Sequence, residues 1–328
     1  MPEWEMSIIL FFKYILISLS VLMSLTAASQ DSCWVQVRIP VACIRDGKGH
    51  STEMTSQAIM GMPLMLLEDD AEWLKIKSPD GYEGYMNVSS VSRKTNEEMD
   101  AWKKAKRFVS TSLPELKLYS TPDMRGSRNV VSEIVLGSIL EGHELNDSVL
   151  SLKLPDGRMG YGYSKDFVDA ETWATQILDL DGIVDKAYCL MGTPYLWGAC
   201  STKSVDCSGL VRVTYFSNGV LTLRDARQQI EIGKRIAPDD IDSLERGDLL
   251  FFSNTPDGRI SHVAIYDNDK RYIHSSGLVK TNYMNRDDSD FSKRFYRGAS
   301  RIKGMEDTPG IIRMINHPWY FNTDSKIK

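Results

Sequence analysis

The sequence lacks the cysteine spacings of a metal or redox site. Its five cysteines include no Cys-x-x-Cys pair and no cysteine–histidine spacing of a structural zinc site, which argues against both classes. A surplus of basic residues is also lacking, because 39 lysines plus arginines stand against 44 acidic residues and no basic stripe is present. Nucleic acid is therefore not an expected partner.

The amino-terminal segment has little charge. Between Ser7 and Leu25 the one charged residue is Lys13, and small residues follow at 26–29. This pattern predicts a signal peptide over residues 1–28, because the apolar run is short for a membrane span. We expect export to the periplasm or the exterior, with no membrane span after cleavage. An uncleaved anchor is the alternative.

An internal repeat organises the chain after this segment. Gly61 and the Pro-Asp-Gly turn at 79–81 recur 76 residues later, the turn at 155–157. Each copy has short alternating runs closed by that turn, which is typical of small antiparallel barrels. Residues shared by both copies, such as Gly61 and Asp80, are expected to serve the barrel itself. The predicted units are a first barrel over 30–93, a helical linker over 94–108, a second barrel over 109–170 and a carboxy-terminal domain over 173–328.

The carboxy-terminal domain shows a different periodicity. Apolar residues at helical spacing predict one helix over residues 173–191, with Ile177 on its apolar face and Cys189 in the core. Strands are predicted farther on, at residues 248–252, 261–266 and 271–275. A helix followed by an antiparallel sheet indicates an α+β fold.

Cys207 is the candidate nucleophile. It begins a predicted buried helix, where unsatisfied N–H groups and the positive end of the helix dipole favour a thiolate. Five cysteines leave at least one thiol unpaired in an exported protein, even if Cys33 and Cys43 form a bridge.

Two histidines downstream supply a candidate base. His262 and His274 lie on successive predicted strands. A three-residue loop at 267–269 places the two residues directly opposite each other on one face of the sheet. Paired imidazoles suit catalysis, because the second can orient the first. Two of the other three histidines, His143 and His317, are expected at the surface.

Five short motifs occur in order: GTPYLWG from Gly192, DCSGL from Asp206, RDARQQ from Arg224, RGDL from Arg246 and SHV from Ser261. Together they resemble the NlpC/p60 family of papain-like peptidases, which act on bacterial cell-wall peptides. Nearer the amino terminus, the pattern of Gln57, Gly61, Trp73 and an Asp-Gly-Tyr turn resembles bacterial SH3-like (SH3b) domains. The second copy has Val149 in place of the tryptophan. The resemblance implies a papain-like catalytic domain preceded by two SH3-like barrels.

The resemblance also implies the roles of the site residues. It implies a Cys207–His262–His274 triad that needs no metal or organic cofactor. Tyr195 would support the oxyanion site together with the Cys207 backbone N–H. Asp206 and Ser208 would line the substrate cleft.

Two SH3-like domains ahead of such a catalytic domain resemble the γ-D-glutamyl-L-diamino-acid endopeptidases of the YkfC type. These cleave peptidoglycan stem peptides that begin with a free L-Ala. Asp225 matches the family position that receives the free amine. Glu53 and Tyr82 are further candidates for the amine-binding site. The second repeat has Asn129 and Arg158 at the equivalent positions, so these two residues are not shared by both barrels.

Several alternatives stay open. The chain could be a cell-wall-binding protein with an inactive hydrolase domain, or a thiol amidase or acyltransferase on another wall substrate. The diamino acid could be diaminopimelate or lysine, and the purpose recycling or wall remodelling. We expect a monomer, with the tail at residues 305–328 packed on the catalytic domain.

Overall fold

The computed structural model describes residues 33–285 and 293–322. The predicted signal peptide lies outside these residues. Within them, no helix is both long enough and apolar enough to cross a membrane.

A seven-stranded antiparallel sheet forms the first unit. Its strands are β1 (Trp34–Val37), β2 (Val41–Arg45), β3 (Met54–Ile59), β4 (Pro63–Glu68), β5 (Trp73–Lys77), β6 (Glu83–Asn87) and β7 (Val91–Lys94). They are ordered β3-β2-β6-β5-β4-β1-β7. Alternate residues such as Leu74, Ile76 and Met86 are buried, as the period-two pattern predicts. Cys33 and Cys43 are both unpaired, so the bridge considered from the sequence is not formed.

The linker helix α1 (Asn96–Lys104) lies within the helical linker predicted over 94–108. The Thr95 side chain accepts from the Glu98 backbone N–H, and the Glu98 side chain accepts from the Thr95 N–H in return. Met99 and Trp102 form the buried face of this helix.

A second seven-stranded sheet repeats the first. Its strands are β8 (Arg107–Ser110), β9 (Glu115–Tyr119), β10 (Val130–Val135), β11 (Ile139–Asn146), β12 (Val149–Lys153), β13 (Met159–Tyr163) and β14 (Phe167–Asp169). Their order, β10-β9-β13-β12-β11-β8-β14, is the order of the first sheet shifted by one repeat. This supports the predicted repeat. The SH3-like character of the second unit stays a prediction.

The glycines shared by the two repeats lie where units meet. A Cβ on Gly61 would stand 1.8 Å from the carbonyl oxygen of Ile139 in the second unit. A Cβ on Gly137 would stand 3.0 Å from the ring of Phe216, in the carboxy-terminal domain. The expectation that such residues serve only their own barrel is wrong for these glycines, because both permit close packing between units.

The carboxy-terminal domain is a helix packed on an antiparallel sheet, which confirms the α+β prediction. Its helices are α2 (Ala170–Thr175), α3 (Leu180–Cys189), α4 (Cys207–Ser217) and α5 (Ala226–Gln229). Its strands are β15 (Cys200–Ser201), β16 (Ser204–Val205), β17 (Val220–Thr222), β18 (Lys234–Ile236), β19 (Leu249–Ser253), β20 (Ile260–Tyr266), β21 (Arg271–Ser276), β22 (Leu278–Tyr283), β23 (Phe295–Arg301) and β24 (Ile311–Arg313). The main sheet is ordered β18-β23-β19-β20-β21-β22. Buried side chains of α4 share a hydrophobic core with Val263 and Ile265 of β20.

The single helix predicted over residues 173–191 is wrong. The chain forms α2 and α3 instead, because Gln176 turns to extended backbone and the Asp179 side chain caps α3 by accepting from the Asp181 N–H. Ile177 falls in the break and is 90% exposed. Cys189, expected in the core, is exposed at the end of α3.

The carboxy-terminal tail packs on more than the catalytic domain. β24 pairs with β17 as part of that domain. Trp319, however, meets Trp34 of the first sheet with ring centroids 5.1 Å apart, and Tyr320 meets Trp102 of α1 at 6.0 Å. His317 is buried and donates from Nε2 to the Pro79 carbonyl at 3.0 Å, so its predicted surface position is wrong. His143 is exposed, as predicted.

Candidate active site

Cys207 is the first residue of α4, as predicted. The Asp206 side chain caps this helix, accepting from the Gly209 N–H at 2.6 Å. Burial, together with the Asp206 carboxylate, raises the pKa of the Cys207 thiol to about 11. The N–H groups of Val263 and Ser208 oppose this rise without cancelling it. The prediction of a thiolate is therefore wrong for the free protein, because desolvation outweighs the helix start.

The two histidines meet, although not in the predicted register. On β20 and β21, Tyr266 pairs with Tyr272 and Ile265 with Ile273, which shifts the pairing by two residues. His262 is therefore not directly opposite His274. A shift of two residues keeps each side chain on its face, so the rings still meet, with His262 Nε2 2.8 Å from His274 Nδ1.

Asn282 of β22 extends this chain of contacts and was not identified from the sequence. Its Oδ1 lies 2.7 Å from His274 Nε2. Because an amide oxygen can only accept, His274 carries its proton on Nε2 and accepts at Nδ1. His262 then donates from Nε2, which leaves its Nδ1 unprotonated.

Both histidines are neutral at physiological pH. Burial lowers the pKa of His262 well below its ordinary value, with the Arg294 charge and His274 adding to the effect. Burial likewise lowers the pKa of His274 to about 4, although the hydrogen bond to Asn282 works in the opposite direction. In the free protein Cys207 is therefore a thiol and His262 a neutral imidazole, so a nucleophilic role for Cys207 requires proton transfer to a base.

Tyr195 lies beside the nucleophile, as predicted. Its N–H donates to the Gly277 carbonyl at 3.0 Å, and it forms a parallel bridge with Val205, two residues before Cys207. Burial raises the pKa of the Tyr195 hydroxyl to about 12, with Cys207 and the Asp206 carboxylate adding to the rise. The hydroxyl is therefore protonated and able to donate to an oxyanion.

Asp206 lines the cleft, but its oxygens are occupied by protein groups. Besides Gly209, it accepts from the Gly198 N–H at 3.0 Å and from the Ser208 hydroxyl at 3.1 Å. Arg224 donates to both of its oxygens, at 2.6 and 3.2 Å. This fully bonded carboxylate positions the start of α4 and has little capacity left for substrate.

Two buried arginines join the catalytic domain to the first sheet. Arg224 Nε donates to the Ser56 hydroxyl of β3 at 3.1 Å. Arg212 of α4 forms an ion pair with Asp80 at 2.8 Å, and both side chains are almost fully buried. Asp80 therefore serves the interface between units, which corrects the expectation that it serves the first barrel alone.

A cavity of about 580 Å³ lies between the first sheet and the catalytic domain. It brings together six predicted site residues, namely Glu53, Tyr82, Asp206, Cys207, Ser208 and Asp225. Other lining residues are Thr55, Trp197, Ala226, Arg227, Asn254, Arg259, Ile260 and Ser261. The nucleophile and both predicted amine-binding acids thus face one space.

Glu53 and Tyr82 each have a hydrogen-bond partner in the lining of the cavity. Glu53 Oε1 accepts from Trp197 Nε1 at 2.6 Å, a contact that the sequence did not predict. Burial raises the pKa of Asp225, while the Arg224 charge opposes the rise. Burial also raises the pKa of Tyr82. The hydrogen bond to Thr55 lowers this pKa, and the Asp225 charge raises it.

Comparison with known proteins places this geometry in a family. Residues 192–300 match the NlpC/P60 family, and residues 44–91 match the bacterial dipeptidyl-peptidase SH3 domain. The probable endopeptidase NlpC of Escherichia coli strain K12 is 37% identical over 122 residues, covering 37% of this chain and 77% of that protein. The chain belongs to the NlpC/P60 family. It is accordingly a hydrolase of the cysteine peptidase class.

Other relatives extend over the amino-terminal units. Dipeptidyl-peptidase 6 of Lysinibacillus sphaericus is 29% identical over 232 residues, covering 68% of this chain and 80% of that protein. The γ-D-glutamyl-L-lysine dipeptidyl-peptidase of Bacillus subtilis strain 168 is 27% identical over 241 residues, covering 69% and 73%. The structure of an NlpC/P60 protein from Bacillus cereus shares the fold at a TM-score of 0.72 and 20% identity, covering 82% of this chain and 99% of that one. The predicted NlpC/P60 and first SH3-like resemblances are confirmed.

Proposed function

We propose that this NlpC/P60 protein hydrolyses the γ-D-glutamyl-L-diamino-acid bond of peptidoglycan stem peptides that begin with a free L-Ala. One observation carries the proposal. Glu53 and Asp225 line the same cavity as Cys207, one from the first unit and one from the catalytic domain. An amino-terminal ammonium between two carboxylates would be stabilised while the scissile carbonyl lies at the thiol.

The first unit limits what can enter this cavity. Glu53, Thr55 and Tyr82 form the part of the cavity wall that the first unit contributes. Trp197 of the catalytic domain donates a hydrogen bond to Glu53 at this wall. A peptide still attached to glycan through its amino end would have no free amine and would need to pass through that wall. Short released peptides are therefore the proposed substrates.

The relatives support the same reaction class. One is named as a γ-D-glutamyl-L-lysine dipeptidyl-peptidase and another as a dipeptidyl-peptidase, and each covers about two thirds of this chain. The matched SH3 domain is likewise named for bacterial dipeptidyl-peptidases. We propose that the protein acts after export, in peptide recycling or wall remodelling.

The proposed mechanism begins with a proton transfer. His262 Nδ1 takes the Cys207 proton as sulfur attacks the γ-glutamyl carbonyl. Negative charge develops on the carbonyl oxygen, where the Cys207 N–H and the Tyr195 hydroxyl donate to it. The imidazolium of His262 is stabilised by His274, whose Nδ1 accepts from Nε2.

Collapse of the intermediate releases the diamino acid. The C–N bond breaks as His262 returns its proton to the leaving nitrogen, which leaves a thioester on Cys207. Water, deprotonated by His262, then attacks the thioester. The C–S bond breaks, L-Ala-D-Glu is released, and His262 returns the proton to the Cys207 sulfur. No further co-reactant is required by this sequence of steps.

Mass spectrometry of L-Ala-γ-D-Glu-diaminopimelate after incubation with enzyme tests the proposal. We expect L-Ala-D-Glu and free diaminopimelate from the wild type. Cys207→Ala should yield neither product above the uncatalysed background, because the nucleophile is gone. Equal turnover by Cys207→Ala would contradict the assignment, and cleavage at another bond would contradict the proposed specificity.

A further inference from the structure

We propose that Arg259 binds a side-chain carboxylate on the leaving diamino acid. The preferred leaving group is then a diamino acid with a second carboxylate, such as meso-diaminopimelate, rather than lysine. This inference rests on the proposed function and assigns the part of the substrate that the amine-binding residues do not contact.

Arg259 lies on the leaving-group side of the cavity. It directly precedes β20, the strand that carries His262, and it lines the cavity together with Ile260, Ser261 and Cys207. His262 must return its proton to the leaving nitrogen, so the departing residue lies on the His262 side of the nucleophile. At about 3.3 Å per strand residue, Arg259 stands roughly 10 Å along the chain from His262. A long side chain projecting from the leaving nitrogen can reach a guanidinium placed there.

The guanidinium of Arg259 is unpaired, but its loop is fixed. Among residues 33–285 and 293–322, Arg259 makes no hydrogen bond and no ion pair. Arg297 Nη1 holds the preceding loop by donating to the carbonyls of Pro256 at 2.6 Å and Gly258 at 3.0 Å. The Ser253 hydroxyl donates to the Thr255 carbonyl at 2.6 Å in the same loop. Arg259 itself is exposed, so these hydrogen bonds fix its loop and leave the guanidinium free to pair with an anionic ligand.

Charge is divided between the two ends of the cavity. Glu53 and Asp225 outnumber the Arg227 charge beside Asp225 and leave net negative charge for the amino end of the peptide, and Arg259 supplies positive charge near the catalytic strand. A substrate with an ammonium at one end and a carboxylate at the other matches this division. Diaminopimelate and lysine both carry an ammonium at the far end of the leaving residue, but only diaminopimelate adds a carboxylate there that can pair with the guanidinium.

Arg227 offers a matched control. It lines the same cavity and has no hydrogen bond or ion pair in the described part of the chain. It lies on α5 beside Asp225, whose pKa its charge lowers, and so belongs to the acyl side of the site. Removing Arg227 should change turnover of both peptides by the same factor.

The test compares kcat/KM for L-Ala-γ-D-Glu-meso-diaminopimelate and L-Ala-γ-D-Glu-L-lysine. We expect the wild type to prefer the diaminopimelate peptide about 10- to 100-fold, the range of one charge-assisted hydrogen-bonded pair. Arg259→Ala should lose that preference by slowing only the diaminopimelate peptide. Arg259→Glu should reverse the preference, and Arg227→Ala should leave the ratio unchanged. Amidation of the distal carboxylate should lower wild-type kcat/KM to the lysine level.

Distinct results separate this inference from the proposed function. Wild-type cleavage of both peptides at equal kcat/KM, or an unchanged ratio in Arg259→Ala, would overturn the role of Arg259 alone. Cleavage of neither peptide by a wild type whose Cys207 still reacts with an alkylating reagent would overturn the proposed function, and this inference with it.

Discussion

At the scale of single residues, the site is a directed chain of proton donors and acceptors. Asn282 Oδ1 fixes the proton of His274 on Nε2, and this fixes the proton of His262 on its own Nε2. The free Nδ1 of His262 is then the base for Cys207. Each member is buried, so the tautomers are set by protein groups rather than by exchange with solvent.

Asn282 is therefore predicted to be a positioning residue. Asn282→Ala should lower kcat about tenfold with little change in KM, because His274 loses the acceptor that sets its tautomer. Steady-state kinetics on the free tripeptide measure both constants. Thr281→Ala, which alters the neighbouring side chain on the opposite face of β22, should retain wild-type values. A rise in KM at unchanged kcat would contradict the assignment.

The pH dependence of kcat/KM distinguishes this role from a purely structural one, because kcat/KM reports the free enzyme. Burial lowers the pKa values of both histidines, that of His274 to about 4. Activity is lost when these groups gain protons, so wild-type kcat/KM should stay level through the ordinary histidine range near pH 6.5 and decline only at more acidic pH. Asn282→Asp places a carboxylate beside His274, which raises its pKa and should move the decline to higher pH. An unmoved profile in that variant would indicate a merely structural residue.

Some of these residues were accessible from the sequence and others were not. Cys207, His262 and His274 stand in ordered motifs, and the repeat comparison singled out Glu53 and Tyr82 by their different counterparts. Asn282 has no such signal, because an asparagine in a strand gains its role from the register of β21 and β22. The thiol pKa was also inaccessible, since burial decides it and the sequence shows only the helix start.

At the scale of elements, identical turns of the repeat have acquired different partners. The turn of the first copy inserts Asp80 against Arg212 of α4, with side chains only 2% and 7% exposed. The equivalent Asp156 pairs instead with Arg158, whose side chain is 51% exposed. A buried ion pair loses much stability when one partner is removed, whereas an exposed pair loses little.

The repeat thus offers a paired stability experiment. Asp80→Asn should lower the free energy of unfolding by about 3–5 kcal/mol, because Arg212 is left buried without a counter-charge. Asp156→Asn should change it by less than about 1 kcal/mol. Urea unfolding followed by circular dichroism gives both values. Equal losses in the two variants would show that the aspartate serves the turn and not the interface.

Local rules predicted the start of elements better than their pairing. Thr95 and Asp206 cap α1 and α4 because each side chain bonds its own helix end. The break between α2 and α3 was missed, because apolar spacing continued across it while Asp179 started a new helix. The register of β20 and β21 was misjudged by two residues, since it depends on a turn whose geometry the sequence leaves open.

At the scale of the whole molecule, the cavity exists because the first unit is docked on the catalytic domain. Arg224 is central to this docking, since it binds Asp206 beside the nucleophile and Ser56 on β3. The tail adds a second link through Trp319 and Trp34. Fold class and unit order were predictable from periodicity and motifs. The docking was not, because it depends on contacts between residues far apart in sequence.

Acetylation of the substrate amine tests the central claim most directly. The measurement is kcat/KM for L-Ala-γ-D-Glu-diaminopimelate and for its N-acetylated form, with products identified by mass spectrometry. The account predicts cleavage of the free peptide after D-Glu and a loss of at least about 100-fold on acetylation, because Glu53 and Asp225 would face a neutral amide. Equal cleavage of the two peptides would contradict the amine-binding cavity and leave intact wall as the better substrate.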